Sequence, residues 1–529
     1  MQTVIKRLAT VKDASQWASK FLSRDVSEAN ISYLIQYGKV RKHNGGDTIM
    51  VDIGDLKSYY QSYSGAREAN WRKKLGDDLN WSLSFDHLRE KDTTKHVHRL
   101  HPYKGKFVPQ LVEYFIDDHT DNFKKEACFR KGDVVLDPFS GSGTTLVQAT
   151  ETGLHSIGVD VSRFNCMIAE IKLLNYDLDA LEEEIIKINK AIANYETDSS
   201  VTDFEVELLE EMARFNNKYF PSPELKYKIQ RGQIKESDYA KEQEKRFVPI
   251  YLKLVKKYSI ELNQNSDKSF LDKWYMKNVR NEIDHAFGLI EKIKNKSNKK
   301  ALAVILSRTV RSCRATTHSD LATLKEPQTT AYYCYKHKKI CKPLFSIKPW
   351  FSRYARDMVN RLRIFQGLKK PVKQAVITDD SRTVNIFREV GKRSKSFSEL
   401  LEKQKIRGIF TSPPYVGQID YHEQHAYAYD LFGFERKDDL EIGPLYKGQG
   451  AEARDSYVEG IVKVLLNAKK YMVDDFDVFL VANDKYNLYP KIAEKSGMKI
   501  VNQFKRPVLN RTERDRNPYS ETIFHLKSL

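Results

Sequence analysis

The feature that most constrains the fold is a short apolar run that leads through a glycine-rich loop into a helix. Residues 134–137 read Val-Val-Leu-Asp, and the chain then passes Gly141 and Gly143 before a helix predicted to begin near Thr144. Because glycine has no Cβ, the backbone amides of such a loop can approach a ligand closely. A second apolar run at 156–161 completes a strand, helix and strand unit, which predicts an α/β fold with a parallel sheet.

The sequence of the glycine-rich loop argues against binding of a nucleoside triphosphate and favours another nucleotide cofactor. A triphosphate loop requires Lys followed by Ser or Thr after its last glycine, whereas Thr144 and Thr145 follow Gly143 here. Asp160 lies near the end of the second apolar run, about 20 residues beyond the loop, where an acid can bind the two hydroxyls of a ribose. We therefore predict that Asp160 binds a ribose. A solvated strand end is the alternative.

A second loop carries groups suited to a nucleic-acid base. Residues 411–415 read Thr-Ser-Pro-Pro-Tyr and follow the apolar run 408–410. Two consecutive prolines fix the backbone and have no N–H, so the loop presents carbonyl oxygens, a hydroxyl and an aromatic ring. An aromatic ring beside acceptors for an exocyclic amino group suits an unstacked cytosine or adenine. A rigid turn after a buried strand is the alternative interpretation.

Both loops, together with Asp160, resemble motifs of the S-adenosylmethionine-dependent DNA amino-methyltransferases of restriction-modification systems. Residues 101–109, His-Pro-Tyr-Lys-Gly-Lys-Phe-Val-Pro, resemble the segment with which this family covers the methionine end of the cofactor. The resemblance implies S-adenosyl-L-methionine as cofactor, with Asp137 near its methionine amino group. The residues that it implies in cofactor binding are Tyr103, Lys104, Phe107, Asp137, Pro138, Phe139, Gly141, Gly143, Thr144, Asp160 and Asp380.

The resemblance assigns the chemistry to the second loop, with Ser412, Pro413, Pro414 and Tyr415 as catalytic residues. The Ser412 hydroxyl and the Pro413 carbonyl would accept the hydrogens of an aryl amine, and Tyr415 would stack on the flipped base. Family members with Ser before Pro-Pro mostly methylate N4 of cytosine, and those with Asp or Asn mostly methylate N6 of adenine. We therefore expect methylation of cytosine N4 in double-stranded DNA, with adenine N6 as the alternative. An RNA amino-methyltransferase and a DNA-binding regulator with an inactive methyltransferase domain are further alternatives.

The remaining apolar runs extend the predicted sheet. Runs at 374–379, 406–411 and 476–481 alternate with helical stretches at 422–432 and 457–471, as a doubly wound parallel sheet requires. The last two runs, 498–504 and 521–526, are close enough to pair as an antiparallel edge. The expected fold is a Rossmann-like methyltransferase sheet of seven strands with an antiparallel last strand, divided into a cofactor-binding half (93–174) and a catalytic half (371–529).

Residues 175–370 form a mainly helical insert between these halves. Its later part is basic and aromatic, which suits a phosphate backbone and unstacked bases. The resemblance implies a target-recognition domain at this place in the chain. We expect Arg311, Arg314 and Lys336 to contact DNA, although a basic stretch is more often a solvated surface.

Residues 1–92 are predicted to form a small module of two helices, at 12–21 and 27–37, followed by a hairpin of 39–42 with 48–51. This pattern resembles excisionase-like winged helix-turn-helix modules. The resemblance implies that Asn30, Tyr33 and Gln36 face the major groove and that Arg41 and Lys42 approach phosphates. A helical cap without DNA contact is the alternative.

Composition favours a polyanionic partner and excludes a membrane-spanning protein. The net charge is +18 and the pI is 9.3, and no apolar stretch reaches about 18 residues. We expect a soluble protein in the cytoplasm of a bacterium or archaeon, associated with the nucleoid. Its expected partners are double-stranded DNA and a cognate restriction endonuclease that forms no stable complex with it.

Five cysteines in a long chain of this kind argue against a disulfide framework. One stretch nevertheless collects possible metal ligands: Cys313, His318, Cys334, His337 and Cys341. Their spacing is compatible with zinc but lacks a Cys-x2-Cys pair. We expect unligated thiols and no metal.

Overall fold

The computed structural model describes residues 8–22, 26–36, 38–45, 48–61, 75, 79–80, 82–85, 88, 90–103, 105–195, 199–318, 326–508 and 519–529. The strands are β1 (Leu8–Thr10), β2 (Lys42–Gly45), β3 (Thr48–Asp52), β4 (Val134–Asp137), β5 (His155–Asp160), β6 (Tyr332–Cys334), β7 (Lys339–Cys341), β8 (Gln374–Thr378), β9 (Ile406–Thr411), β10 (Met472–Ala482), β11 (Met498–Pro507) and β12 (Ser520–Ser528). No helix in the described ranges is long and apolar enough to cross a membrane.

The α-helices of the described ranges are Val11–Leu22, Glu28–Gln36, Ile53–Tyr60, Glu90–Thr93, Pro109–Ile116, Thr144–Thr152, Arg163–Leu173, Leu178–Asn194, Ser199–Tyr219, Glu224–Gln230, Glu236–Lys257, Phe270–Trp274, Lys277–Glu291, Lys296–Ser312, Lys348–Gln366, Ile386–Arg393, Lys395–Gln404, Tyr421–Gln424, Ala426–Phe432, Ala451–Lys469 and Tyr489–Lys495. Short 3-10 helices lie at Ser82–Ser84, His96–Arg99, Asp438–Leu440 and Leu445–Lys447.

Seven strands form one sheet in the order β11, β12, β10, β9, β4, β5, β8. Neighbouring strands from β8 through β5, β4 and β9 to β10 are parallel, whereas β12 runs antiparallel to both β10 and β11. The chain leaves β4 toward β5 and β8 and later returns to β9 on the opposite side, so the strand order reverses beside β4. The prediction of an α/β sheet of seven strands with a reversed last strand is confirmed.

Helices cover both faces of this sheet. In β4, Val134 and Leu136 pack in one core cluster with Val458, whereas Val135 packs in another with Phe115. These side chains are all buried. The two helical layers explain why the strand is apolar at successive positions rather than at alternate ones.

The insert between β5 and β8 is mainly helical, as predicted. Its first helix, Leu178–Asn194, buries the four apolar positions that the sequence places on one face: Leu181, Ile185, Ile188 and Ile192. These residues belong to a core cluster that also contains Phe164 of the helix Arg163–Leu173. The insert therefore shares its core with a helix that covers the sheet.

The N-terminal module has an antiparallel sheet in the order β1, β3, β2 and a core cluster of its own. Ser27 caps the second helix, as predicted, because its Oγ accepts a hydrogen bond from the Asn30 amide at 3.3 Å. The hairpin differs from the prediction, since Lys42–Gly45 rather than 39–42 pairs with Thr48–Asp52. Gly38, at φ +68°, ends the preceding helix, and Val40 packs into the core, so these residues are not available to the strand.

The close approach of β9 to β10 generates a prediction about Gly408. A Cβ at this position would overlap the backbone carbonyl oxygen of Asp477 in β10. We expect Gly408→Ala to destabilise the protein by about 3 kcal/mol, because backbone atoms on both strands would have to shift. Gly288→Ala is the matched control. Gly288 lies in the helix Lys277–Glu291 with open space around it, so the control should be neutral or stabilise by up to about 1 kcal/mol.

Urea unfolding followed by circular dichroism measures both effects. Equal unfolding midpoints for the two variants would contradict the packing described for β9 and β10.

Candidate active site

Two loops meet at the carboxyl ends of β4 and β9, which are parallel neighbours with Leu136 beside Ile409. The hydroxyl of Thr411 at the end of β9 donates a hydrogen bond of 2.6 Å to Oδ1 of Asp137 at the end of β4. In open α/β sheets, ligands bind at such a reversal of strand order. The glycine-rich loop and the Ser-Pro-Pro-Tyr loop, although far apart in sequence, therefore belong to one site.

The glycine-rich loop is held by the carboxylate of Asp160. Oδ2 accepts from the Gly141 amide at 2.9 Å, and Oδ1 accepts from the Ser162 amide at 2.8 Å and from Asn165 Nδ2 at 3.1 Å. Burial raises the pKa of Asp160, although these donors favour its charged form. The carboxylate thus fixes the shape of the loop and also faces the cavity beside it.

The two glycines of the loop have different tasks. Gly141 has φ +47°, and a Cβ on it would lie 2.8 Å from the hydroxyl of Tyr103. Gly143 has φ +77°, and a Cβ there would lie 2.8 Å from Cβ of Ala169 in the helix Arg163–Leu173. The absence of a side chain at Gly141 therefore lets Tyr103 lie against the loop. At Gly143 it lets two helices pack closely, and Gly143 does not line the cavity described next.

A cavity with about 850 Å³ of empty space lies between these elements. It brings together most of the cofactor-binding residues predicted from the sequence, and also two residues of the second loop. The predicted residues on its wall are Tyr103, Phe107, Asp137, Pro138, Phe139, Gly141, Thr144, Asp160, Asp380, Ser412 and Pro414. Lys104, which was also predicted to bind the cofactor, lies outside the described residues.

Asp137 supplies a buried carboxyl group to this cavity. Burial raises its pKa to about 6, while hydrogen bonds from the Thr411 hydroxyl and the Phe139 amide act in the opposite direction. The nearby carboxylate of Asp160 also raises the pKa of Asp137. A carboxyl group in this environment is suited to a cationic group, which would restore its ordinary ionised state.

The Ser-Pro-Pro-Tyr loop separates this cavity from a second one. Ser412 and Pro414 line the first cavity, and Tyr415 lines the second. The Ser412 hydroxyl donates to the carbonyl of Val481 at 3.1 Å. Since its hydrogen is committed to that carbonyl, its lone pairs are oriented to accept from a further donor.

Tyr415 is fixed by a chain of polar contacts. Its hydroxyl donates to Oε1 of Glu521 at 2.9 Å, and Oε2 of Glu521 accepts from Nε of Arg506 at 3.1 Å. Besides Tyr415, the second cavity has polar side chains on its wall, among them Gln449 and Asn483. This second cavity offers an aromatic ring with hydrogen-bonding groups beside it.

Sequence reasoning missed a histidine and glutamate pair on the wall of the first cavity. Glu441 accepts from the amide of His422 at 2.8 Å and also contacts Nδ1 of the same residue. Nε2 of His422 is buried and has no hydrogen-bond partner among the described residues. The two residues lie on different elements with no periodic signal that links them, so only the folded chain shows their pairing.

The residues predicted to contact DNA lie in separate places. Asn30, Tyr33 and Gln36 are exposed on the side of their helix opposite Ile31 and Leu34. Arg41 and Lys42 lie just beyond that helix, and the Arg41 guanidinium lies 5.9 Å from the ring centre of Tyr227.

The predicted DNA contacts of the insert differ in exposure. Lys336 is exposed on the turn between β6 and β7, and Arg311 is half-buried. Arg314 is only 8% exposed, with its guanidinium 5.6 Å from the ring centre of Tyr427. Arg314 therefore packs largely inside the protein, unlike the exposed Lys336.

Comparison with known proteins places this chain in a family. A family model described as DNA methylase matches residues 11–170. The Type II methyltransferase M.MjaII of Methanocaldococcus jannaschii is 47% identical over 526 residues, which are 99% of this chain and 97% of that protein. The Type II methyltransferase M.MvaI of Kocuria varians is 32% identical over 120 residues, which are 23% of this chain and 24% of that protein. The Type II methyltransferase M.BsoBI of Geobacillus stearothermophilus is 35% identical over 98 residues, 18% of each chain. The chain belongs to the family of type II DNA methyltransferases.

Proposed function

We propose that this chain transfers a methyl group from S-adenosylmethionine to N4 of cytosine in double-stranded DNA. The observation that carries the proposal is the position of Ser412, whose hydroxyl donates to Val481 and so offers an acceptor on the wall of the first cavity, in the same loop that places Tyr415 on the wall of the second. An exocyclic amine has two hydrogens to donate, and a hydroxyl oriented in this way is a suitable partner for one of them. Adenine N6 is the second candidate, because it presents the same amino group on a larger base.

The first cavity fits the proposed cofactor. Asp137 offers a buried carboxyl group to an ammonium, and Asp160 lies where an acid can meet ribose hydroxyls. Phe139 and Tyr103 provide aromatic surface, and Asp380 lies at the wall near Leu440. The cofactor would supply an electrophilic methyl group on a sulfonium. The chain itself holds and orients the reactants.

The second cavity is the proposed place of the flipped base. The amino nitrogen of cytosine is a poor nucleophile, because its lone pair is delocalised into the ring. Ser412 Oγ and the Pro413 carbonyl would accept its two hydrogens and make the nitrogen more tetrahedral, while Tyr415 stacks on the base. The hydrogen bond from Tyr415 to Glu521 keeps the ring in position. None of these roles requires a cysteine nucleophile.

DNA contact is proposed for the N-terminal module and for the exposed part of the insert. Two helices followed by the β2 and β3 hairpin form an arrangement suited to a winged helix-turn-helix, with Asn30, Tyr33 and Gln36 toward the major groove. The Gln36 carbonyl accepts from Lys226 Nζ at 2.9 Å, so the module is docked on the insert and both could follow one duplex. A cognate endonuclease that cuts the same sequence without a stable complex is the proposed second component of the system, in the cytoplasm where such DNA lies.

A methyl-transfer assay tests the reaction class. The purified chain is incubated with S-adenosylmethionine that carries a labelled methyl group and with duplex DNA or RNA of mixed sequence. We expect label in duplex DNA and none in RNA. Transfer to RNA alone would favour an RNA methyltransferase. Absence of transfer to both DNA and RNA would contradict enzymatic activity.

Substitutions at Ser412 and Asp160 separate catalysis from cofactor binding. Ser412→Ala removes the proposed acceptor and should lower kcat by about 10²–10³, with little change in the affinity for cofactor. Asp160→Ala should mainly weaken cofactor binding. The control is Ser237→Ala, at the exposed start of the helix Glu236–Lys257, which should change neither quantity. If the two site variants have the same effect on kcat and on cofactor Kd, the division of roles is wrong.

The raised pKa of Asp137 predicts a pH dependence of cofactor binding. A carboxyl group with a pKa of about 6 becomes neutral as the pH falls through that value, and a neutral group no longer attracts an ammonium. The cofactor Kd should therefore be about tenfold higher at about pH 5 than at about pH 7, since about one tenth of the carboxyl groups remain ionised one unit below the pKa, whereas at about pH 7 most are ionised and the amino group of the cofactor is still protonated. Calorimetric titration with circular dichroism at each pH measures binding and confirms folding. In Asp137→Asn the dependence should disappear; if it persists there, another group causes it.

A further inference from the structure

Four side chains of the insert converge beside the β6 and β7 hairpin, away from the residues assigned to the active site. They are His318, Cys334, His337 and Cys341, and their ligand atoms all lie within 4.8 Å of one another. Cys334 ends β6, His337 lies in the turn between the two strands, Cys341 ends β7, and His318 follows the helix Lys296–Ser312. Cys313, which the sequence placed in the same group, is instead buried at the end of that helix.

The distances within this cluster are those of a tetrahedral site. Zinc bonds of about 2.3 Å to sulfur and about 2.0–2.1 Å to nitrogen place sulfur and nitrogen about 3.5 Å apart along a tetrahedral edge. Nδ1 of His337 lies 3.5 Å from Sγ of Cys334 and 3.5 Å from Sγ of Cys341. Nδ1 of His318 lies 3.7 Å from Sγ of Cys334. We propose that these four side chains bind one structural zinc ion.

The surroundings of Cys334 suit a thiolate ligand. The backbone amide of His337 donates to Sγ of Cys334 at 3.4 Å, and the amide of Lys338 donates to the Cys334 carbonyl at 2.7 Å. The bond to sulfur orients this ligand and stabilises the negative charge of a thiolate, whereas the bond to the carbonyl closes the turn that follows it. The Tyr332 hydroxyl lies 2.8 Å from Nδ1 of His318, so a metal at this nitrogen replaces that one hydrogen bond.

A bound zinc ion would stabilise the β6 and β7 hairpin, which is short. Each strand has three residues, and Tyr333 and Ile340 on one face pack into the main core of the insert. The other face has a separate buried cluster that contains only Tyr332, Cys334 and Cys341 among the described residues. Its turn includes Lys338 at φ +56°, a strained value for a residue with a side chain. A two-stranded hairpin of this size is at best marginally stable without further support.

The ion would connect three parts of the insert. Lys338 Nζ contacts Glu236 at 2.6 Å, at the start of the helix Glu236–Lys257. Asn216 of the helix Ser199–Tyr219 exchanges hydrogen bonds with the backbone of Ile340 at 2.9 and 3.1 Å. Through His318, the ion would join this hairpin to the chain that carries Arg314 toward Tyr427. The site would therefore fix the part of the insert on which the exposed Lys336 lies.

Two other groups of possible ligands have different explanations. His98 contacts Gln148 at 2.9 Å, and Glu151 pairs with Lys95 at 2.8 Å. Asp477 pairs with Arg407 at 2.8 Å and with His525 at 2.7 Å. In each of these groups, a protein cation or amide already serves the acidic or imidazole side chain. Neither has the two thiols that distinguish the hairpin cluster.

The test is the metal content of the full chain, purified without a histidine tag and without chelators. Inductively coupled plasma mass spectrometry should find about one zinc ion per chain, and removal of the ion by a chelator should lower the temperature of thermal unfolding. Cys334→Ser and Cys341→Ser should lose at least about nine tenths of the zinc. The matched controls Cys313→Ala and Cys128→Ala remove cysteines outside the cluster and should keep it.

Cobalt exchange in the unaltered chain protects the test against variants that fail to fold. Cobalt in this site should give the intense visible bands of tetrahedral coordination and a charge-transfer band from thiolate. The proposal would be overturned if the purified chain contained no zinc and its unfolding temperature were the same with and without a chelator. A disulfide between Cys334 and Cys341 in the freshly purified chain, seen as a mass lower by two hydrogens, would also overturn it. If the unaltered chain contained zinc but transferred no methyl group, the result would count against the proposed function and not against the zinc site.

Discussion

The contact between the ends of β4 and β9 is the constraint on which the site depends. The Thr411 hydroxyl donates to the Asp137 carboxylate and ties together the two loops to which we assign cofactor binding and catalysis. This contact exists because the strand order reverses beside β4 and places β9 next to it. The loop of Asp137 and Gly141 then forms one wall of a cavity, and Ser412 with Pro414 forms another. A change in strand order would separate them.

Two buried carboxyl groups make this cavity suited to the proposed ligand, which has both an ammonium and hydroxyl groups. Burial raises the pKa of Asp137 and that of Asp160, and each of the two carboxyl groups is held by hydrogen bonds from the chain. Keeping two acidic groups in a poorly hydrated site costs free energy, and a cationic ligand offsets part of that cost. The two buried carboxyl groups thus raise the free energy of the empty site, and this favours the binding of a cationic ligand.

Local patterns in the sequence predict a large part of this structure, because they depend on neighbours in the chain. The run 134–137, the glycine-rich loop and the helix Leu178–Asn194 follow from apolar spacing and from glycine conformations. The pairing of His422 with Glu441 and the burial of Arg314 depend on contacts between distant elements. The role of Gly143 depends on Ala169, which no local pattern indicates. The sequence groups the four candidate zinc ligands with Cys313, and only their distances in space separate them from that buried residue.

We propose that the Ser412 loop directs a methyl group to an exocyclic amine of a DNA base. The most direct test is the identity of the modified nucleoside, obtained by digesting DNA methylated by the purified chain and analysing the nucleosides by mass spectrometry. We expect N4-methylcytosine. N6-methyladenine would keep the amine chemistry and change the base. A 5-methylcytosine product would contradict the proposed chemistry, because methylation at that ring carbon needs a cysteine nucleophile that this loop does not contain.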